Sequence, residues 1–141
     1  MRLWHKDLLT VLPSQQLVSQ WRECCAIARN VAMVGTPNHI LVNKVIDYPI
    51  SHFYTYSNLV LEEMYKRGFS TTITAKNKFD DYIKKIDKNY EDQVSFESLF
   101  LNWHNDRYFW QCLYNLEEKY DCGGITEEEI KAIDELATFY L

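Results

Sequence analysis

The sequence predicts an all-α fold, a single compact orthogonal helical bundle of about five or six helices, with residues 1–141 as one domain. Three observations predict it. Apolar residues recur at three- and four-residue spacing through most of the chain, and Pro, Gly and capping residues punctuate those runs at helix-like lengths. Only Ser70–Thr74 has strand-like composition, and no second strand is available to pair with it, so it reads as an extended connection. At 141 residues and 47% hydrophobic content, the chain can bury one core.

The opening Met1-Arg2-Leu3-Trp4-His5-Lys6-Asp7 mixes large apolar and basic residues without a period, and it ends at Leu12-Pro13-Ser14. Proline restricts its predecessor and starts helices well, so a first helix is expected from Pro13 or Ser14 to about Asn30, with Leu17, Trp21, Cys24, Cys25 and Ala28 inward. Gly35-Thr36-Pro37 breaks the pattern, after which Asn38 is expected to cap a short helix through Val45. A helix over Ser51–Arg67 follows, with Phe53, Tyr56, Val60 and Met64 on one side and Gly68 as its stop. Phe79, Tyr82 and Ile83 predict a short helix among charges. Ser95 is expected to cap a long aromatic helix running to about Tyr120, ended by Cys122-Gly123-Gly124. Thr126 with Glu129 forms a capping box, and the helix it opens turns Ile130, Ile133, Leu136 and Phe139 inward. No internal repeat or low-complexity linker interrupts this series.

Charge and motif content narrow the function. The net charge is −5, and it is unevenly placed. Residues 1–70 carry seven Lys/Arg against five Asp/Glu, whereas residues 71–141 carry eight against fifteen. A phosphate backbone would therefore meet the first half and avoid the second, and the acidic C-terminal helix reads as a solvated face or a surface for a protein partner. No run is long and apolar enough for a membrane span, and Lys6 and Asp7 interrupt any signal-peptide core, so a soluble cytoplasmic protein is expected. The four cysteines, Cys24, Cys25, Cys112 and Cys122, form no Cys-x-x-Cys pair and read as reduced, mostly buried thiols. His5, His39, His52 and His104 form no His-x-x-x-His pair, which disfavours a zinc hydrolase, and the absence of a Gly-rich phosphate loop disfavours an NTPase. His104-Asn105-Asp106-Arg107 reads as a solvent-facing polar turn, and the aromatics around it as core.

The stretch from Gln15 to Arg29 stands apart. An apolar helical face there carries Trp21-Arg22-Glu23, while Gln15, Arg22 and Arg29, each seven residues apart, make a polar and basic stripe. Arg2 lies near the start of the chain. With Glu63 and Lys66-Arg67-Gly68-Phe69 at the end of a later helix, these residues resemble the pyrimidine-dimer DNA glycosylase and abasic-site lyase family, the small phage-type endonuclease V enzymes. The likeness covers about a third of the chain. The triplet and its distance from the start are its most specific part.

The resemblance implies an all-α glycosylase-like domain in which the chain's α-amine, here that of Met1, is the nucleophile. It would attack the sugar carbon bearing the base, expel the base and cut the strand by β-elimination through an imine. An α-amine suits this role because its reference pKa of about 7.7–8.0 leaves much of it neutral near physiological pH. Glu23 would be the essential carboxylate. Arg2, Arg22 and Arg29 would hold phosphates, and Gln15 would add a polar contact. The implied partner is double-stranded DNA with a damaged base or an abasic site, in a bacterial or phage-infected cell, with no metal and no cofactor. The chain departs from the family in placing Met1-Arg2 where a Thr-Arg pair stands, Gln16 at a histidine and Ala26 at a basic position, and in ending on an acidic helix. A non-catalytic module binding a small anionic nucleotide or a protein partner is the alternative.

Overall fold

The computed structural model describes residues 1–141 as five α-helices: α1 (Ser14–Val34), α2 (Ile50–Lys66), α3 (Ile73–Ile86), α4 (Asp106–Asp121) and α5 (Glu127–Ala137). Short 3-10 turns occupy Lys6–Leu8, Asn43–Asp47 and Thr138–Tyr140. There is no strand, as expected, and no helix is long and apolar enough to cross a membrane. Pro13 and Pro49 stand immediately ahead of α1 and α2 in extended conformation, where the missing N–H costs nothing. α1 packs on α2 and α3, and α4 on α5. One core of 32 buried residues draws on all five helices and on the opening segment.

That opening segment decides where the site lies. Leu3, Trp4, His5, Lys6, Leu8, Leu9 and Leu12 are all buried, so the first dozen residues run through the interior rather than along the surface. Several of their backbone groups are met by side chains from distant parts of the chain. Lys6 N–H donates to His104 Nδ1 (2.9 Å), and the buried Lys6 ammonium donates to the carbonyls of Phe96 (2.6 Å) and Leu99 (2.9 Å).

The same lysine explains the largest departure from expectation. Ser95 caps only one turn, and the anticipated helix from Ser95 to Tyr120 begins instead at Asp106, capped by the Asn105 side chain. Carbonyls that would accept from the next helical turn accept from Lys6 Nζ. Phe100 and Asn102 then adopt left-handed backbone angles (φ 51 and 73), a conformation that cannot continue a right-handed helix. Leu99, Phe100, Trp103 and His104 are thereby buried as an irregular wall of the core. His104 is consequently no part of a solvent-facing turn, although Asn105, Asp106 and Arg107 are exposed.

Smaller departures have local causes. α1 continues past Asn30 to Val34, because Val31 extends its buried face and nothing breaks the helix before Gly35 (φ 82). Asn38 caps no helix. It takes a left-handed angle (φ 58) in a loop, and only Asn43–Asp47 coils, as a 3-10 turn. The extended connection from Ser70 stops at Thr72, whose hydroxyl caps α3 by accepting from Ala75 N–H, so Ile73 and Thr74 are helical. The capping box of Thr126 and Glu129 forms as expected. Phe139, however, is 84% exposed, because α5 ends at Ala137 in a tighter 3-10 turn that sends Tyr140 inward to stack on Phe109. All four cysteines are free thiols, with Cys24 and Cys112 buried, Cys25 half-buried and Cys122 exposed.

The Lys66-Arg67-Gly68-Phe69 sequence ends α2 in a Schellman motif: Gly68 N–H donates to the Tyr65 carbonyl and Phe69 N–H to that of Met64. This turns the Arg67 guanidinium back onto the chain entering α1. It donates to the carbonyls of Leu12 (2.5 Å), Thr10 (3.2 Å) and Leu9 (3.3 Å) and to Glu63 Oε1 (3.0 Å). Arg67→Ala would orphan partly buried carbonyls and strand Glu63, and it is expected to destabilise the fold by about 3 kcal/mol. Urea denaturation checks this; a loss under about 1 kcal/mol would show that the carbonyls are satisfied without the guanidinium.

Candidate active site

The site is built around Gln20, a polar residue on the buried face of α1 with 1% of its surface exposed. Trp4 N–H donates to Gln20 Oε1 (2.8 Å), which fixes the orientation of the amide. Its Nε2 must then face the other way. There it donates to the Arg2 carbonyl (2.9 Å) and to Glu23 Oε2 (3.1 Å), tying the second residue of the chain to the carboxylate three positions along the helix. The Tyr56 hydroxyl donates to the Trp4 carbonyl (2.6 Å), and the Tyr108 hydroxyl donates to the Leu3 carbonyl (2.5 Å). The extended N-terminal segment is thus held residue by residue, by side chains from α1, α2 and α4.

Glu23 is half-buried, and burial raises its carboxyl above the ordinary carboxylate range. The charge of the N-terminal amine, the nearby Arg2 backbone N–H, the Gln20 hydrogen bond and the charge of His39 oppose that rise. The amine and carboxylate act on each other without a close ion pair; the two ion pairs of the chain are Arg67–Glu63 and Lys76–Asp80. Beside Glu23 opens a cleft of about 460 Å³ lined by Trp4, Gln15, Gln16, Ser19, Lys119 and Gly124, among others. Gln15, Ser19 and Glu23 lie at four-residue spacing and so form one row down the helix. Gln16 Oε1 is buried there without a hydrogen-bond partner.

The structure brings together some of the residues singled out by sequence and separates others. Met1 and Glu23 share one electrostatic neighbourhood, and Gln15 lines the Glu23 cleft. Arg22 is exposed on the outer face of α1. Arg29, also exposed, borders a different cleft of about 550 Å³ between α1 and α3, with Ala26, Lys78 and Tyr82. Arg2 is turned inward, its guanidinium 5.5 Å above the Trp4 ring and 3.8 Å from Cys112 Sγ. Trp21 belongs to the core: its indole N–H donates to Thr71 Oγ1 (2.9 Å) and its ring packs on Phe79. No group of three or more His, Cys, Asp or Glu side chains is placed to hold a metal ion.

Gln20, Tyr56, Tyr108 and His39 were not anticipated from sequence. A signal existed for Gln20 alone, as the one amide at a core-facing position between Leu17, Trp21 and Cys24. His39 could not be found that way, since its approach to Glu23 depends on the path of the loop after α1.

Comparison with known proteins adds one finding. A family model described as pyrimidine dimer DNA glycosylase matches residues 1–77, the region containing the N-terminal segment, α1 and α2. No curated protein and no solved structure matches the chain.

Proposed function

The chain belongs to the pyrimidine dimer DNA glycosylase family, and from that premise we propose that it is a repair enzyme, built as one domain, that both excises a damaged base and cuts at the resulting abasic site. The observation that carries the proposal is that one buried amide, Gln20, ties the Arg2 carbonyl to the half-buried Glu23 carboxylate, so that the N-terminal amine acts electrostatically on Glu23. In this reading the neutral Met1 amine attacks the sugar carbon that bears the base. The N-glycosidic bond breaks, its electron pair leaves with the base, and the ring opens to an imine. Loss of a proton from the adjacent carbon then expels the 3′ phosphate by β-elimination, and hydrolysis of the imine frees the enzyme.

Glu23 has two tasks in that sequence. As a carboxylate it stabilises the positive charge that develops on the sugar and the imine, and as a base it takes the proton lost in the elimination. Partial burial strengthens the first and brings its proton affinity toward working pH for the second. Gln15 and the unpartnered Gln16 Oε1 offer polar contacts in the cleft, while Arg22 and Arg29 supply phosphate contacts on the outer face of α1. Arg2, directed at Trp4 and Cys112, supports the N-terminal segment and meets DNA only at its edge.

Borohydride trapping on a duplex with one abasic site tests this directly, using protein whose N-terminus has been verified by mass. A covalent adduct that disappears when the amine is acetylated is the expected result. No adduct from folded protein with a free Met1 amine would overturn the lyase reading and leave a non-catalytic binding module.

A further inference from the structure

The loop after α1 presents an apolar tip on a rigid frame. Asn43 Oδ1 accepts from His39 N–H (3.0 Å) and Thr36 Oγ1 (3.3 Å), Asn38 N–H donates to Thr36 Oγ1 (3.2 Å), and Val42 N–H donates to the His39 carbonyl (3.0 Å). Pro37 and Val42 are buried and anchor the two ends. Between them Ile40 is 85% exposed and Leu41 48% exposed. Exposed aliphatic side chains are ordinary when scattered on mobile segments. Two adjacent ones on a hydrogen-bonded loop form a small apolar patch of fixed shape.

Position identifies the contact. Asn30, seven residues and so two turns from Glu23 on the same face of α1, donates to the Pro37 carbonyl (3.2 Å), which ties the loop about 10 Å along the helix from the carboxylate. Ile40 and Leu41 border a cleft of about 350 Å³ whose far wall includes Tyr108, the residue that hydrogen-bonds Leu3. The tip is therefore tied to the helix face that carries Glu23 and faces the side chain that holds the N-terminal segment. Lys44 and Arg107 are the charged residues lining that cleft, and no carboxylate lines it. The cleft between α4 and α5, by contrast, is lined by Glu117, Asp121, Glu127, Asp134 and Glu135. A polyanion is admitted at the loop and repelled at the far end.

We infer that Ile40, backed by Leu41, is a wedge that enters the base stack of duplex DNA beside the lesion while Lys44 and Arg107 hold the flanking phosphates. The inference rests on the repair reading above and deepens it. An aliphatic side chain inserted between base steps takes over stacking contacts that the bases give up, so a kinked or opened duplex becomes accessible at the amine. The side chain must be stiff and presented on a fixed backbone, and β-branched Ile40 on this loop meets both needs.

The test compares Ile40→Ser/Leu41→Ser with wild type on one abasic site, placed in a fully paired duplex and in a single strand, with 2-aminopurine next to the site. Both positions are exposed, and an unchanged Tm verifies folding. The double variant is expected to lose about tenfold or more in duplex cleavage and the 2-aminopurine fluorescence rise seen with wild type. Single-strand cleavage stays unchanged, and Ile40→Phe keeps most duplex activity. Equal activity of wild type and double variant on the duplex, or equal losses on both substrates, would overturn the wedge alone. A wild type that neither binds nor cleaves either substrate overturns the repair reading and the wedge with it.

Discussion

Glu23→Gln is expected to lower strand cleavage at an abasic site by about 10³-fold or more, since both charge stabilisation and proton abstraction are removed with the carboxylate. The fold should not weaken. The amide oxygen introduced by the substitution still accepts from Gln20 Nε2, and the change removes a half-buried charge. The pH dependence gives the sign. Burial raises the Glu23 carboxyl in the folded state, so folded protein binds its proton more tightly than unfolded chain does. As pH rises from the unfolded carboxyl value through the raised folded value, stability is lost, and it stays lost above both. A neutral amide escapes that loss. The difference in Tm between variant and wild type should therefore move in favour of the variant from pH 4 to pH 7. A Tm several degrees below wild type at pH 7, or cleavage within tenfold of wild type, would show that Glu23 is a structural carboxylate.

Gln20→Leu carries a cost in stability as large as that of Arg67→Ala. Leucine fills similar space but leaves Trp4 N–H and the Arg2 carbonyl without partners in the interior, a loss of about 3 kcal/mol. Activity should fall as well, measured at a temperature where the variant is folded, because the segment bearing the amine is no longer clamped to α1. Gln20→Glu separates positioning from packing. It keeps the oxygen that accepts from Trp4 N–H, yet sets a second carboxylate oxygen against Glu23 Oε2. Like charges at that distance raise carboxyl proton affinity, so the acid limb of the pH–rate profile should shift to higher pH. A residue that only filled the core would leave that limb unmoved.

Helix ends with local chemistry were legible in the sequence. Gly68 after Lys66-Arg67, Gly123 after Cys122 and the Thr126/Glu129 box each act within six residues, and each forms as read. The inward faces of α1 and α2 were equally plain, because Leu17, Trp21, Cys24 and Ala28, and Phe53, Tyr56, Val60 and Met64, repeat at helical spacing and are buried. Illegible features depended on distant partners. Nothing near Ser95 announces that a lysine some 90 positions earlier takes its turn's carbonyls and so ends the helix. The candidate site divides in the same way. Glu23 and Met1 stood out through a motif and its distance from the start, whereas the clamp joining Glu23 to the Arg2–Trp4 segment is an amide that looks, along the helix, like an interruption of an apolar face.

The threading of the first residues through the core also sets an order of events during synthesis. Residues Arg2–Lys6 leave the ribosome first, but several of their partners are made late. Lys6 waits for His104, Leu3 for Tyr108, and Asp7 for Tyr140, 133 positions downstream. Pairings over such separations form late and slowly, even in a helical protein. α1, α2 and α3 can associate beforehand, but the amine is seated only when nearly the whole chain has been released. The nascent polypeptide therefore carries its N-terminal segment unassembled, and under the proposed reaction any strand cleavage would await the folding of these late-made partners.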